Sequence, residues 1–215
     1  MAGSFAQLAK KAEKKKPSIS VSKEAVETPP LKIYKLGHEA LRTSANRIVK
    51  VDDSIRKLAK DMLITMYSAK GIGLAAAQVG IKKRLLVIDL NFEDPNASPN
   101  IFINPEIISS SASLDTYEEG CLSIPGVYLN VLRPSSIKLS YRDEMGRPKK
   151  MNADGLMARC IQHEIDHLNG VCFVDKVNDD EELEKQLNDN NFNQSDVIKI
   201  MNWKIKFNSN YKKSD

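Results

Sequence analysis

The chain has 215 residues, a formal charge of +4 and 41% hydrophobic residues, enough for one domain with a proper core. No apolar run reaches the roughly 18 residues of a membrane helix, and the N-terminus carries no apolar signal-peptide core, so a soluble, cytoplasmic chain without a membrane partner is expected. The charge is uneven: residues 1–30 hold six Lys and three Glu, residues 198–215 hold five Lys and one Asp, and the remainder sums to −3.

Residues 1–30 read as a mobile arm ending in Pro29-Pro30. The arm is Lys-rich but also acidic and lacks Arg, which gives little support to organelle import. A helix is expected over 52–70. Asp52 or Asp53 can cap it, Ile55, Leu58, Ala59, Met62, Leu63 and Met66 repeat at helical spacing, and Gly71 follows as a stop. RLLVIDL at 84–90 reads as a buried strand and 91–100 as a loop. Strands are expected at 101–108, 112–118, 126–132 and 136–142, and a turn at 143–146 leads to another near 147–152. Asp154 opens a second helix that Gly170 closes, and 171–177 reads as a last short strand. Residues 178–196 are acidic, Asn-rich and weakly patterned, and read as a loop or disordered connection to a basic tail. Both ends read as solvated, with contact to an anionic partner such as RNA as the alternative. Strands dominate the middle and do not alternate with the helices, so the fold class is α+β.

The second helix carries the chemistry. QHEIDHLNG at 162–170 places His163 and His167 four residues apart, on one helical face, where two imidazoles can reach one metal ion. Glu164 lies one step round the helix, where it can meet a water at the metal without being a ligand. This HExxH arrangement is a zinc-hydrolase signature. Met157, Ile161 and Leu168 supply an apolar back face. Two of the chain's three His lie in the motif; His38 reads as structural or exposed. Two His need a third protein ligand. The position where metzincin proteases carry a third His is Phe173, which cannot bind metal. The acidic run 179–184 is a poor substitute. Cys160 and Cys121 both remain candidates on spacing, and Cys172 reads as core. An odd cysteine count in an apparently cytosolic chain argues against a disulfide framework.

GIGLAAAQ at 71–78, EGCLS at 119–123 and QHEIDHLNG together, in this order, resemble the three signature motifs of the peptide deformylases. The resemblance extends over about residues 31–177, leaving 1–30 as the arm and 178–215 as the connection and tail. It implies antiparallel strands wrapped around the HExxH helix. It implies that Cys121 completes the metal set with His163 and His167, that Cys160 lines the pocket, and that Glu164 is base and then acid. The Gln78 side-chain amide and the Leu122 backbone N–H become the donors to the formyl oxygen. The activity implied is removal of the N-formyl group from the initiator methionine of nascent polypeptides, releasing formate. Ile72, Leu156 and Cys160 would form the methionine pocket. The 71–73 loop, through Gly73, would approach an extended peptide edge-on. Glu119 would support the site through an ion pair with Arg133. Tyr128 and Arg159 depart from residues common in bacterial members and point to a branch nearer the organellar and related bacterial-type enzymes. Family resemblance favours Fe²⁺, with Zn²⁺, Ni²⁺ or Co²⁺ as substitutes. The basic tail could dock at the ribosome exit region, and a monomer is favoured. The competing readings are an HExxH endopeptidase and a non-catalytic ribosome-binding module. The joint presence of Gln78, Cys121 and Glu164 argues against a scaffold.

Overall fold

The computed structural model describes residues 19–198. The first eighteen residues of the expected arm and the basic tail from 199 lie outside the described residues. Helix α1 spans Asp53–Ser68. The Asp52 side chain accepts from the Ser54 and Ile55 N–H groups, satisfying donors that a helix start leaves open. At its far end Gly71 N–H reaches the Met66 carbonyl, and the left-handed residue is Lys70 (φ 56°). The stop expected at Gly71 is therefore made one residue earlier, in a Schellman-like turn.

A five-stranded antiparallel sheet runs in the order β1 (Gly73–Ala75), β2 (Leu85–Ile88), β3 (Asn100–Ser110), β6 (Ser136–Arg142), β7 (Pro148–Asp154). A separate hairpin pairs β4 (Leu114–Cys121) with β5 (Ile124–Pro134). The continuous apolar run of β2 is explained by burial on both faces. Leu85 and Val87 pack with α1, whereas Leu86 and Ile88 pack with helix α2 (Gly155–Leu168). Alternation along the strand thus sandwiches the sheet between the two helices. A third apolar cluster joins Ile124, Val127, Leu129 and Val131 of β5 to Phe173, Leu183 and Leu187.

α2 is buried on nearly every side, from Ala158 to Leu168 apart from Asp166. Its expected apolar stripe is therefore only part of a helix enclosed by strands. Asp154 occupies the N-cap position but its side chain makes no capping bond. Gly170 (φ 77°) ends the helix against the Arg42 backbone, where a Cβ would come within 2.9 Å.

Three expectations need correction. Residues 173–176 form a 3₁₀ turn, not a strand, because Asp175 folds back to accept the Cys172 N–H and pairs with Arg42. Residues 180–189, expected to be irregular, form helix α3: the Asp179 side chain caps it, and Leu183 and Leu187, four apart, bury against β5. Residues 19–30 are not a free arm. Ile19 is buried in the cluster around α1, and Lys23 pairs with Asp89 at 2.7 Å and donates to the Asn91 and Asp94 carbonyls.

Candidate active site

Three elements converge at the C-terminal half of α2. The helix contributes His163, Glu164 and His167, the end of β4 contributes Cys121, and the turn after β1 contributes Gln78. The Cys121, His163 and His167 ligand atoms lie within 4.8 Å of one another. Cys121 Sγ is 3.2 Å from His167 Nε2. His163 Nδ1 meets Glu119 Oε2 at 2.9 Å, which leaves Nε2 as the atom available to a metal.

The electrostatics suit a cation. Burial opposes ionisation of Cys121, but the His167 and His163 imidazoles outweigh it and hold the thiol well below its ordinary range. Thiolate is the form that binds metal. Cys160 behaves oppositely: burial, with Glu164 and Glu119 nearby, pushes it up to about 12, so it stays a neutral thiol. Burial also resists charge on Glu119, yet Arg133 and His163 carry its carboxyl well below the usual range. A soft sulfur with two imidazoles is a donor set that could hold a metal ion, and it matches the ligand types of catalytic zinc or iron sites.

Glu119 is held from three directions. Arg133 grips it with two bonds at 2.6 and 2.8 Å, Arg159 donates at 2.8 Å, and His163 takes the remaining contact. Arg159 also donates to the Val131 and Asp115 carbonyls and lies over the Tyr117 ring. Its guanidinium is thus committed to pinning the β4–β5 hairpin onto α2, although the residue also borders the cleft.

Gln78 is oriented by its own turn. Its Oε1 accepts the Ala75 N–H at 2.8 Å, so Nε2 faces Ser123 Oγ at 3.3 Å and Cys121 Sγ at 3.5 Å. Glu164 Oε2 is buried without a hydrogen-bond partner among the described residues. Gly73 explains how the carboxylate fits: a Cβ there would meet Glu164 Oε1 at 2.5 Å. Burial pushes Glu164 up to about 7, the imidazoles pulling down against Cys121 and Glu119. An unpartnered buried carboxyl of that acidity is suited to proton transfer.

These groups open on a cleft of about 550 Å³. Ile72, Leu122, Leu156, Tyr128 and Cys160 all border it, and Leu156 and Tyr128 are half exposed at its margin. Lys35, Lys70 and Ser123 were not anticipated at the site. Ser123 belongs to the EGCLS motif and could have been suspected, whereas Lys35 lies outside every motif and has no local signal.

A histidine pair on an enclosed helix, a cysteine across from it and a buried carboxyl beside it are the arrangement of an HExxH metallohydrolase. A family profile described as polypeptide deformylase matches residues 30–183. The chain is 88% identical to a peptide deformylase of Prochlorococcus marinus NATL1A over 202 residues, covering 94% of this chain and all of the relative. It superposes on the crystal structure of a peptide deformylase from Synechococcus elongatus in complex with actinonin with a TM-score of 0.83 and 52% identity, covering 84% of this chain and 98% of the other. A plant peptide deformylase gives 0.69 at 37% identity, covering 77% and 94%. The chain belongs to the polypeptide deformylase family. It is a metal-dependent hydrolase of a linear amide with the family's α+β fold.

Proposed function

We propose that the chain removes formyl from N-formylmethionine at the start of nascent polypeptides, with Cys121, His163 and His167 as metal ligands and Glu164 as the proton carrier. The observation that carries the assignment is the convergence of those three ligand atoms beside the buried Glu164 carboxyl, whose Oε2 has no hydrogen-bond partner among the described residues. A divalent ion held there supplies Lewis-acid activation of water and of the formyl carbonyl. Glu164 takes a proton from the attacking water and passes it to the departing amine. The Gln78 Nε2 and the Leu122 N–H donate hydrogen bonds to the formyl oxygen as negative charge develops on it.

The peptide lies along β1, an edge strand of the sheet. Ile72, Leu156 and the neutral Cys160 thiol give its methionine an apolar pocket, and Tyr128 borders the path of later residues. Glu119 and Arg159 support this wall from behind. Fe²⁺ is the proposed physiological ion, with Zn²⁺, Ni²⁺ or Co²⁺ able to replace it. Among the described residues no helix is long and apolar enough to cross a membrane. The protein is proposed to work in the cytoplasm as a monomer, near the ribosome exit, with the tail beyond residue 198 as the docking element.

The test combines anaerobic purification, metal analysis and a formate-release assay on one sample. One equivalent of divalent metal and formate release from a formyl-Met peptide are expected. Cleavage of an unformylated internal peptide without formate release would instead mark an endopeptidase.

A further inference from the structure

Residues 34–36 run between the two loops that carry the proposed oxyanion donors, and each is tied to one of them. The Tyr34 N–H donates to the Gln78 carbonyl at 2.8 Å and the Leu36 N–H to the Ser123 carbonyl at 3.0 Å. Between them the Lys35 ammonium donates to the Leu122 carbonyl at 2.7 Å. The segment is therefore a strap across both sides of the site.

The Leu122 carbonyl and the Ser123 N–H belong to one peptide plane. That N–H donates to Cys121 Sγ at 3.4 Å. A peptide group is rigid about its C–N bond, so a grip on the oxygen also fixes the direction of the N–H. It restricts the backbone torsion at Leu122 as well, and with it the aim of the neighbouring Leu122 N–H. A bond from an ammonium is stronger than a neutral one and polarises the amide, which makes its N–H a better donor to sulfur.

We propose that Lys35 is a positioning residue for the reaction: it fixes and polarises the Leu122–Ser123 peptide, setting the aim of the Leu122 N–H and the electron density on the Cys121 sulfur. The proposal rests on the assignment of Cys121 as a metal ligand and Leu122 as an oxyanion donor. Lys35 borders the cleft but acts through the peptide it holds, not on the substrate.

The test compares unmodified protein with Lys35→Met and Lys35→Arg, each loaded with Co²⁺. In the Lys35→Met protein the sulfur donor loses a polarised N–H, so the thiolate-to-cobalt charge-transfer band is expected to move to lower energy. Its kcat for a formyl-Met peptide is expected to fall about tenfold, with KM within about twofold. Lys35→Arg, which keeps a cationic donor, is expected to restore both band and kcat. Lys35 is exposed, so the metal-free melting temperature of either variant is expected to match the unmodified protein. An unmoved band and unchanged kcat in Lys35→Met would overturn the proposal. A loss confined to KM would also overturn it, marking Lys35 as a substrate contact. If the unmodified protein shows no thiolate-to-cobalt band, the ligand assignment fails first and this proposal falls with it; a normal band that ignores Lys35 sinks the proposal alone.

Discussion

At the scale of single residues, Glu164 combines full burial, an unpartnered Oε2 and a pKa raised from 4.5 to about 7. In the metal-free protein the folded state therefore holds this proton more tightly than the unfolded chain does. Stability contributed by the neutral carboxyl is present below about pH 4.5 and is lost as pH rises toward 7. Glu164→Gln is expected to stabilise the metal-free protein at pH 8 by up to about 3 kcal/mol, the gain shrinking as pH approaches 5. Urea denaturation in chelator at both pH values measures this; an equal gain at both would assign the effect to packing, not charge. The same variant is expected to bind metal yet lose about 10²–10⁴-fold in turnover, and wild-type-like turnover would refute the acid–base role. The two thiols separate just as sharply. Cys121→Ala is expected to lose metal on dialysis, whereas Cys160→Ala, which removes a neutral thiol, retains most of it; the reverse result would make Cys160 the ligand.

At the scale of elements, Gly71 before β1 and Gly73 at its start face different neighbours. A Cβ on Gly73 would push on the buried Glu164 carboxylate, whereas one on Gly71 would meet the end of the Leu122 side chain at 2.6 Å. Gly73→Ala is thus expected to keep its metal and lose about 10²-fold in kcat, while Gly71→Ala stays within about tenfold of wild type because an alkyl terminus can turn aside. Parallel metal analysis and formate-release kinetics check the contrast. The sequence had suggested peptide approach as the reason for glycine here, since nothing local reveals that a helix 90 residues later aims a carboxylate at position 73. The HExxH helix was legible because its histidine spacing is a local property of the helix. So were the central strands, whose apolar runs reflect burial. Helix α3 was masked by its acidic, Asn-rich composition, although the Asp179 cap and the Leu183–Leu187 spacing were visible signals. The turn at 173–176 was not legible: an apolar run looks strand-like, and part of what bends it is the pairing of Asp175 with Arg42, far earlier in the chain.

At the scale of the whole molecule, one buried network joins the site to the scaffold. Arg133 sits at its centre, 2% exposed, bonded to Glu119 on one side and Asp166 on the other; Asp166 also takes Lys176 at 2.6 Å, and Arg159 completes the Glu119 side. The Glu119–Arg133 pair was anticipated, but its extension to Arg159, Asp166 and Lys176 depends on tertiary packing that no motif encodes. Arg133→Met would leave the buried Glu119 and the part-buried Asp166 without their shared cation and is expected to cost about 3–5 kcal/mol in denaturation experiments. Arg159→Met should cost clearly less, since Glu119 keeps Arg133 and His163. Equal losses would show that the two arginines are not ranked as their contacts suggest.

Ile19 and Lys23 give the molecule a boundary that the family profile alone does not draw. The span the profile matches runs from 30 to 183, yet it stops inside α3 and begins after the residues that plug the α1 cluster and grip the 89–94 loop. A chain trimmed to that span would leave Asp89 without its lysine and would strip Leu187 from the cluster under β5. The span the profile matches would then be intact while the packing that closes it at both ends would not, so an engineer shortening this enzyme should cut by packing and keep both flanks.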